Sequence, residues 1–153
     1  MRITLDASRI RFEAIGADLV ESVYGDAFVK EQYRNDIEEY EFTDREGVSY
    51  IGIFVDGDLG GFFYCVDIST IEIEVHLAFL AEYTPYSRII CATFIDWLFE
   101  NRKISRLTTY VMDYRRVAVN LALKLGFKYE GFMQKCMVRD GVWYGKHVLG
   151  IVR

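Results

Sequence analysis

The chain has 153 residues, three cysteines, one proline and a formal net charge of −5. That length suits a single domain, residues 1–153, able to bury a core without disulfides or a structural metal. The negative balance argues against nonspecific binding to nucleic acid or to an anionic membrane, and leans toward a cationic partner. An aromatic content of 16% predicts large ring-lined surfaces. Cys65, Cys91 and Cys136 are scattered, odd in number and outside any CxxC or Cys/His spacing, so they read as buried thiols of a reducing compartment and no metal site is expected. Met1–Asp6 is too short and too mixed in polarity for a signal peptide or membrane span, so a cytoplasmic location is expected.

In chain order, Ile3–Leu5 reads as a short first strand. Phe12, Ile15, Leu19 and Val23 recur at three- and four-residue steps and predict a helix over about Arg11–Val23. A second helical stretch, Asp26–Tyr40, runs into an acidic patch of Asp36, Glu38, Glu39, Glu41, Asp44 and Glu46. Two strands follow, Tyr50–Val55 and Gly60–Ile68, around Asp56-Gly57-Asp58, where Asp-Gly is a hairpin signal. Thr70–Leu80 alternates cleanly as a third strand of this group. Ile71, Ile73 and Val75 fall on one face, and Glu72, Glu74 and His76 on the other. Three ionisable side chains on one strand face do not stay buried unpaired, so they either face a wet cleft or line an exposed sheet surface.

Ser87 can cap a helix reaching about Arg102, with Ile90, Phe94, Trp97 and Leu98 as its apolar stripe. Arg106–Met112 is a strand, Tyr114–Leu125 a helix and Phe127–Met133 a strand. A second Asp-Gly, at Asp140-Gly141, turns the chain into a last strand, Tyr144–Val152. The order β-α-α-β-β-β-α-β-α-β-β predicts an α/β protein, a mixed sheet with helices on both faces. Within it, Asn120–Gly131 stands out, because an apolar helix stops on Gly126 and an aromatic-rich strand starts at once with Phe127. Glycine takes the left-handed conformation after a last helical turn without a steric penalty.

That order, with its "KLGFKYEG" junction and closing hairpin "MVRDGVWYGKHVLGI", resembles the GNAT family of acyl-CoA-dependent N-acetyltransferases. The likeness is nearest to the branch acting on protein N-terminal amines and small-molecule amines. It covers Tyr50–Arg153 in element order, and Met1–Tyr40 by the two helices. The resemblance implies a GNAT-like fold and direct acetyl transfer from acetyl-CoA to a primary amine acceptor, a protein N-terminus or a cationic small molecule. It also leaves room for a homodimer.

The family's Arg/Gln-x-x-Gly-x-Gly/Ala cofactor loop falls on Thr84-Pro85-Tyr86-Ser87-Arg88-Ile89 when aligned from the strand, and about two residues away when aligned from the helix. Thr84 stands for the Arg/Gln, and Ser87 and Ile89 for the small residues. A pyrophosphate at a helix start is held by free amides and the positive end of the helix dipole, to which Ser87 adds a hydroxyl and Arg88 a charge. Pro85 removes one amide donor.

An amine of pKa near ~10 needs a base to take its proton. The resemblance gives that role to a glutamate of the fourth strand. Glu72 matches by distance from the loop, and a one-residue bulge would hand the role to Glu74. The resemblance also implies a strand bulge near Leu77–Phe79, a thioester carbonyl polarised by a backbone amide there, and a pantetheine arm paired along Leu77–Leu80. Leu77, Phe79 and Leu80 therefore join the cofactor residues. The family's thiolate-protonating Tyr is replaced by Ala122, leaving water, Tyr110 or Tyr114, and its cofactor-contacting Asn falls at about Arg115. The acidic patch borders the acceptor side in this family. His147 lacks a second ligand at metal spacing and reads as structural. The competing reading is a catalytically degenerate binding or structural protein on the same fold.

Overall fold

The computed structural model describes residues 4–153 and contains seven strands and four α-helices. These are β1 (Ile10–Ala14), α1 (Ala17–Tyr24), α2 (Ala27–Tyr33), β2 (Val48–Val55), β3 (Asp58–Asp67) and β4 (Glu72–Phe79), then α3 (Ser87–Asn101), β5 (Arg106–Met112), α4 (Arg116–Lys124), β6 (Lys128–Arg139) and β7 (Val142–Val152). The strands form one sheet in the order β1-β2-β3-β4-β5-β7-β6, antiparallel except for the β4/β5 pair.

The main departure from the sequence reading lies at the start. Ile3 is outside the described residues, and Thr4–Asp6 carry no regular structure. The first strand is instead Ile10–Ala14, inside the stretch expected to be helical, and it pairs antiparallel with β2 from Ile10↔Val55 to Ala14↔Ile51. Arg11 and Glu13 alternate outward while Phe12 packs edge-on against Phe63 and Phe94. The three- and four-residue spacing was coincidental, because pairing with a free β2 edge outweighed a weak helical pattern. Gly16 then caps α1, which buries Val20 and Val23 and leaves Leu19 exposed.

The second helix also ends early, at Tyr33 rather than Tyr40. Its start is fixed by the Asp26 carboxylate, which accepts the amides of Phe28 and Val29. At its end Arg34 turns to extended backbone, and the Asn35 side chain takes the amides of Ile37 and Glu38. These local bonds compete with helix continuation.

Ser87 does not cap α3. A 3-10 turn over Ala81–Tyr86 runs straight into the helix, so Tyr86 holds the cap position and Ser87 is the first helical residue. Gly126 behaves as expected. With φ at +102°, it lets its own amide reach Leu123 O and lets Phe127 N–H reach Ala122 O, a complete Schellman closure of α4.

Two cores sandwich the sheet. On one face α3 and α4 bury Ile90, Phe94, Leu98 and Val119 against Ile73, Val75, Leu107 and Leu149. Phe63 and Phe94 stack there with centroids 3.7 Å apart and rings nearly parallel. Cys65 and Cys91 lie in this core as free thiols, and burial pushes each up to about 12. On the other face α1 and α2 bury Val20, Val23 and Val29 against Tyr50, Phe62 and Ala78. Glu72, Glu74 and His76 occupy that second face, beyond the area the two short helices cover.

Candidate active site

β4 and β5 separate partway along their length. They pair only at Glu72↔Arg106, Ile73↔Leu107 and Glu74↔Thr108, although β4 runs on to Phe79 and β5 to Met112. Beyond the last pair, Thr109 Oγ1 donates to Val75 O at 2.8 Å, and this bond marks the apex of the gap. Meanwhile β4 keeps an unbroken register with β3, from Asp67↔Ile73 to Gly61↔Phe79. The bulge expected near Leu77–Phe79 is therefore absent; the two strands part although β4 stays in register with β3 and β5 with β7.

Alternation decides which backbone groups line the gap. Val75 O points toward β5, so the main-chain edges of Leu77 and Phe79 point the same way with no strand partner there. Leu80 faces the opposite direction and donates its amide to Gly60 O. At the end of β4 the 3-10 turn and the start of α3 bring Thr84, Ser87, Arg88 and Ile89 together. Thr84 Oγ1 donates to Ala81 O within the turn. Arg88 is exposed and makes no ion pair among the described residues. A free guanidinium at a helix start raises the local positive potential and suits an anion.

The ionisable side chains of β4 have unequal surroundings. Glu72 sits where the strands are still joined, accepting from Thr108 Oγ1 at 2.6 Å and facing Arg106 Nε at 3.5 Å. Arg106 in turn holds Glu130 of β6, and that pairing keeps the Glu130 carboxyl below its usual range. Glu74 stands at the last paired position, half-buried, with Oε2 2.7 Å from His76 Nε2. The His76 hydrogen bond, opposed by burial and aided by His76 and Lys146 charge, holds the Glu74 carboxyl below the ordinary carboxylate range. His76 follows on the same face, within the gap. Its ring lies 6.1 Å from Tyr64 and 6.3 Å from Tyr110, nearly parallel to the latter, and Lys146 Nζ stands 4.3 Å from the Tyr110 centroid. The sequence placed His76 beside the glutamates without giving it a role; its hydrogen bond to Glu74 was implicit in their two-residue spacing.

The other residues sit as follows. Ala122 is buried under the sheet. Tyr114 is engaged elsewhere, its hydroxyl on Met137 Sδ at 3.3 Å and its ring against Tyr144. Arg115 reaches across to α2, its guanidinium 5.6 Å over the Tyr33 ring. Asp36 of the acidic patch is structural, accepting the amides of Asp140 and Gly141 at the β6–β7 turn. Glu38, Glu39, Glu41, Asp44 and Glu46 stay exposed on a loop that Phe42 pins to Tyr50, whose ring touches Tyr64. The loop thus reaches the wall beside His76. His147 packs between Tyr129 and Phe132, and no metal-holding cluster of His, Cys, Asp and Glu exists among the described residues.

A sheet parted between two parallel strands, with a helix start at the mouth of the gap, is the architecture of the GNAT acetyltransferases, and solved structures bear this out. The spermidine N-acetyltransferase from Vibrio cholerae in complex with CoA and spermine matches with a TM-score of 0.78 at 15% identity, over 95% of this chain and 96% of that one. A dodecameric structure of the same enzyme in an intermediate state matches with a TM-score of 0.76 at 13% identity, over 95% and 94%. No curated protein matches in sequence. Residues 17–142 match the model of the family described as "Protein of unknown function (DUF2824)", and the chain belongs to that family.

Proposed function

We propose that residues 1–153 form a single N-acetyltransferase domain moving an acetyl group from acetyl-CoA directly to a primary amine. The observation that carries this reading is the gap between β4 and β5. It offers a free backbone edge at Leu77 and Phe79, an anion-suited helix start at its mouth, and ionisable side chains at its apex. An extended pantetheine arm would pair with that edge as an added strand, and the Leu77 amide would polarise the thioester carbonyl. Thr84, Ser87, Arg88 and Ile89 would surround the diphosphate, while Leu80, expected on the pantetheine edge, gives its amide to Gly60 O instead. Arg115 is assigned to the cofactor side only through its place at the α4 start, since its head lies over Tyr33.

Of the two strand glutamates, Glu72 is held by Thr108 and Arg106, so Glu74, hydrogen-bonded to His76, is the one we assign to the proton-removing machinery. The exposed acidic loop beside this wall favours a cationic acceptor, a small polyamine or a basic peptide N-terminus, and a relative on this fold is bound to CoA and spermine. The N-terminal and small-amine branch, acetyl-CoA rather than another acyl-CoA, and a cytoplasmic setting belong to the same reading. No helix is long and apolar enough to cross a membrane among the described residues. Self-association is part of it as well, given the dodecameric relative. A degenerate binding protein is the second reading, favoured by Pro85 in the cofactor turn and by the buried Ala122 where a general acid would stand.

Thermal unfolding with and without acetyl-CoA separates the two. Millimolar acetyl-CoA should raise the melting temperature, and Arg88→Ala should weaken the apparent affinity about tenfold, the loss of one charge-assisted phosphate contact. A melting temperature unmoved by acetyl-CoA, with no heat in calorimetry, would overturn the enzyme reading.

A further inference from the structure

Resting on the acetyltransferase reading, we infer that His76 is the group that takes the acceptor's proton, through Nδ1, and that Glu74 is its positioning residue. The order of side chains along β4 carries this. Glu72 lies at the closed end with its carboxylate taken by Thr108 and Arg106. Glu74 lies at the last strand pair with its carboxylate directed to His76 Nε2 at 2.7 Å. His76 is one step further along the same face, where β5 no longer covers the strand, and about a third of its side chain is open to solvent.

A carboxylate bound to Nε2 fixes the neutral imidazole with its proton on Nε2 and its lone pair on Nδ1. Nδ1 is then the basic atom free to meet a substrate. The groups facing the ring are Glu74 on its own strand, Tyr64 from β3, Tyr110 from β5, and Lys146 of β7 behind Tyr110. Glu74 is the anion among them, and it favours the imidazolium that proton removal creates. The lowered Glu74 carboxyl fits a partner that stays charged rather than a base that must itself accept a proton.

The step balances as follows. The acceptor ammonium gives one proton to His76 Nδ1. The freed nitrogen lone pair forms the N–C bond to the thioester carbonyl, and the C–S bond breaks with its electron pair on sulfur. The nitrogen's second surplus proton passes to the thiolate, giving the amide and the free thiol, and His76 returns its proton to solvent.

The test uses the full chain with acetyl-CoA and two probe amines, spermidine and a peptide with a free N-terminal lysine, reading thiol release against pH. His76→Gln should lower kcat about 10²- to 10⁴-fold, the usual range for a general base, with KM for acetyl-CoA unchanged and the acid limb of the rate profile lost. Glu74→Gln should lower kcat about tenfold in the wild-type background and have no further effect on top of His76→Gln, since the two act as one unit. The chain has two histidines, so nitrogen-15 spectra of the imidazoles, assigned with His76→Gln, read the tautomer directly. An Nε2–H tautomer is expected for neutral His76, and it should lose its bias in Glu74→Gln.

A His76→Gln variant that keeps its kcat and acid limb while the wild type turns over would overturn this proposal and leave the acetyltransferase reading standing. An Nδ1–H tautomer would overturn it on geometry, whatever the activity. Silence of the wild type with both amines, in a protein that acetyl-CoA fails to stabilise, would remove the parent reading and this proposal with it.

Discussion

Gly61→Ala should be among the most damaging single-methyl additions in this protein. Gly61 has φ at +146°, in a region that side chains rarely adopt, and it pairs with Phe79 at the end of β4. A Cβ there would stand 2.0 Å from the Ala78 carbonyl oxygen and 3.0 Å from Phe79 Cα. An ordinary carbon contact is ~3.5 Å, so β3 and β4 would have to part by roughly 1.5 Å against a normal spacing of ~4.8 Å. That displacement breaks about two ladder hydrogen bonds at ~1 kcal/mol each and adds about 1–3 kcal/mol of backbone strain, together about 3–5 kcal/mol. In urea unfolding followed by circular dichroism, the midpoint should fall with little change in slope. For a chain of this size the melting temperature should drop by roughly 10 °C. A loss below about 1 kcal/mol would refute the reasoning, since it would mean that the β3–β4 backbone accommodates the methyl group without parting. The same shift displaces Phe79, so acetyl-CoA stabilisation should also shrink in this variant.

Gly126→Ala provides the control for that argument. Its φ is also positive, but a Cβ there meets nothing within 4 Å, so only the conformational cost applies, about 1–2 kcal/mol. Equal losses for the two variants in the same urea titration would show that the contact with Ala78 is not the cause. The Glu74 carboxyl makes a prediction for acid. Its folded-state pKa is depressed, so its contribution to stability is fully present above the unfolded value of ~4.3 and is lost as pH falls through the lower folded value. Wild type should therefore lose more stability than Glu74→Gln on acidification from about pH 5. Parallel curves would show that the pair with His76 contributes nothing to folding.

Much of this protein is legible in its one-dimensional pattern. The Arg106–Met112 strand was readable to the residue, because a short run rich in Thr, Tyr and Val between polar turns favours extended backbone. Gly126 announced the end of α4 and the start of β6, because a left-handed cap needs glycine whatever lies around it. The period-two order of Glu72, Glu74 and His76 put three ionisable groups on one sheet face, since strand geometry leaves no alternative.

Other features exist only in three dimensions. Ile10–Ala14 became a strand because β2 offered it an edge, and no local signal names a distant partner. The choice between Glu72 and Glu74 turned on Arg106 and Thr108, which lie more than thirty positions away in sequence and reach Glu72 only because β4 and β5 are parallel neighbours. The gap itself is a difference in length between a pairing and the strands that make it. Sequence fixes which residues alternate along each strand; where β4 and β5 stop touching, at Glu74↔Thr108, is a contact between distant segments that no local pattern encodes.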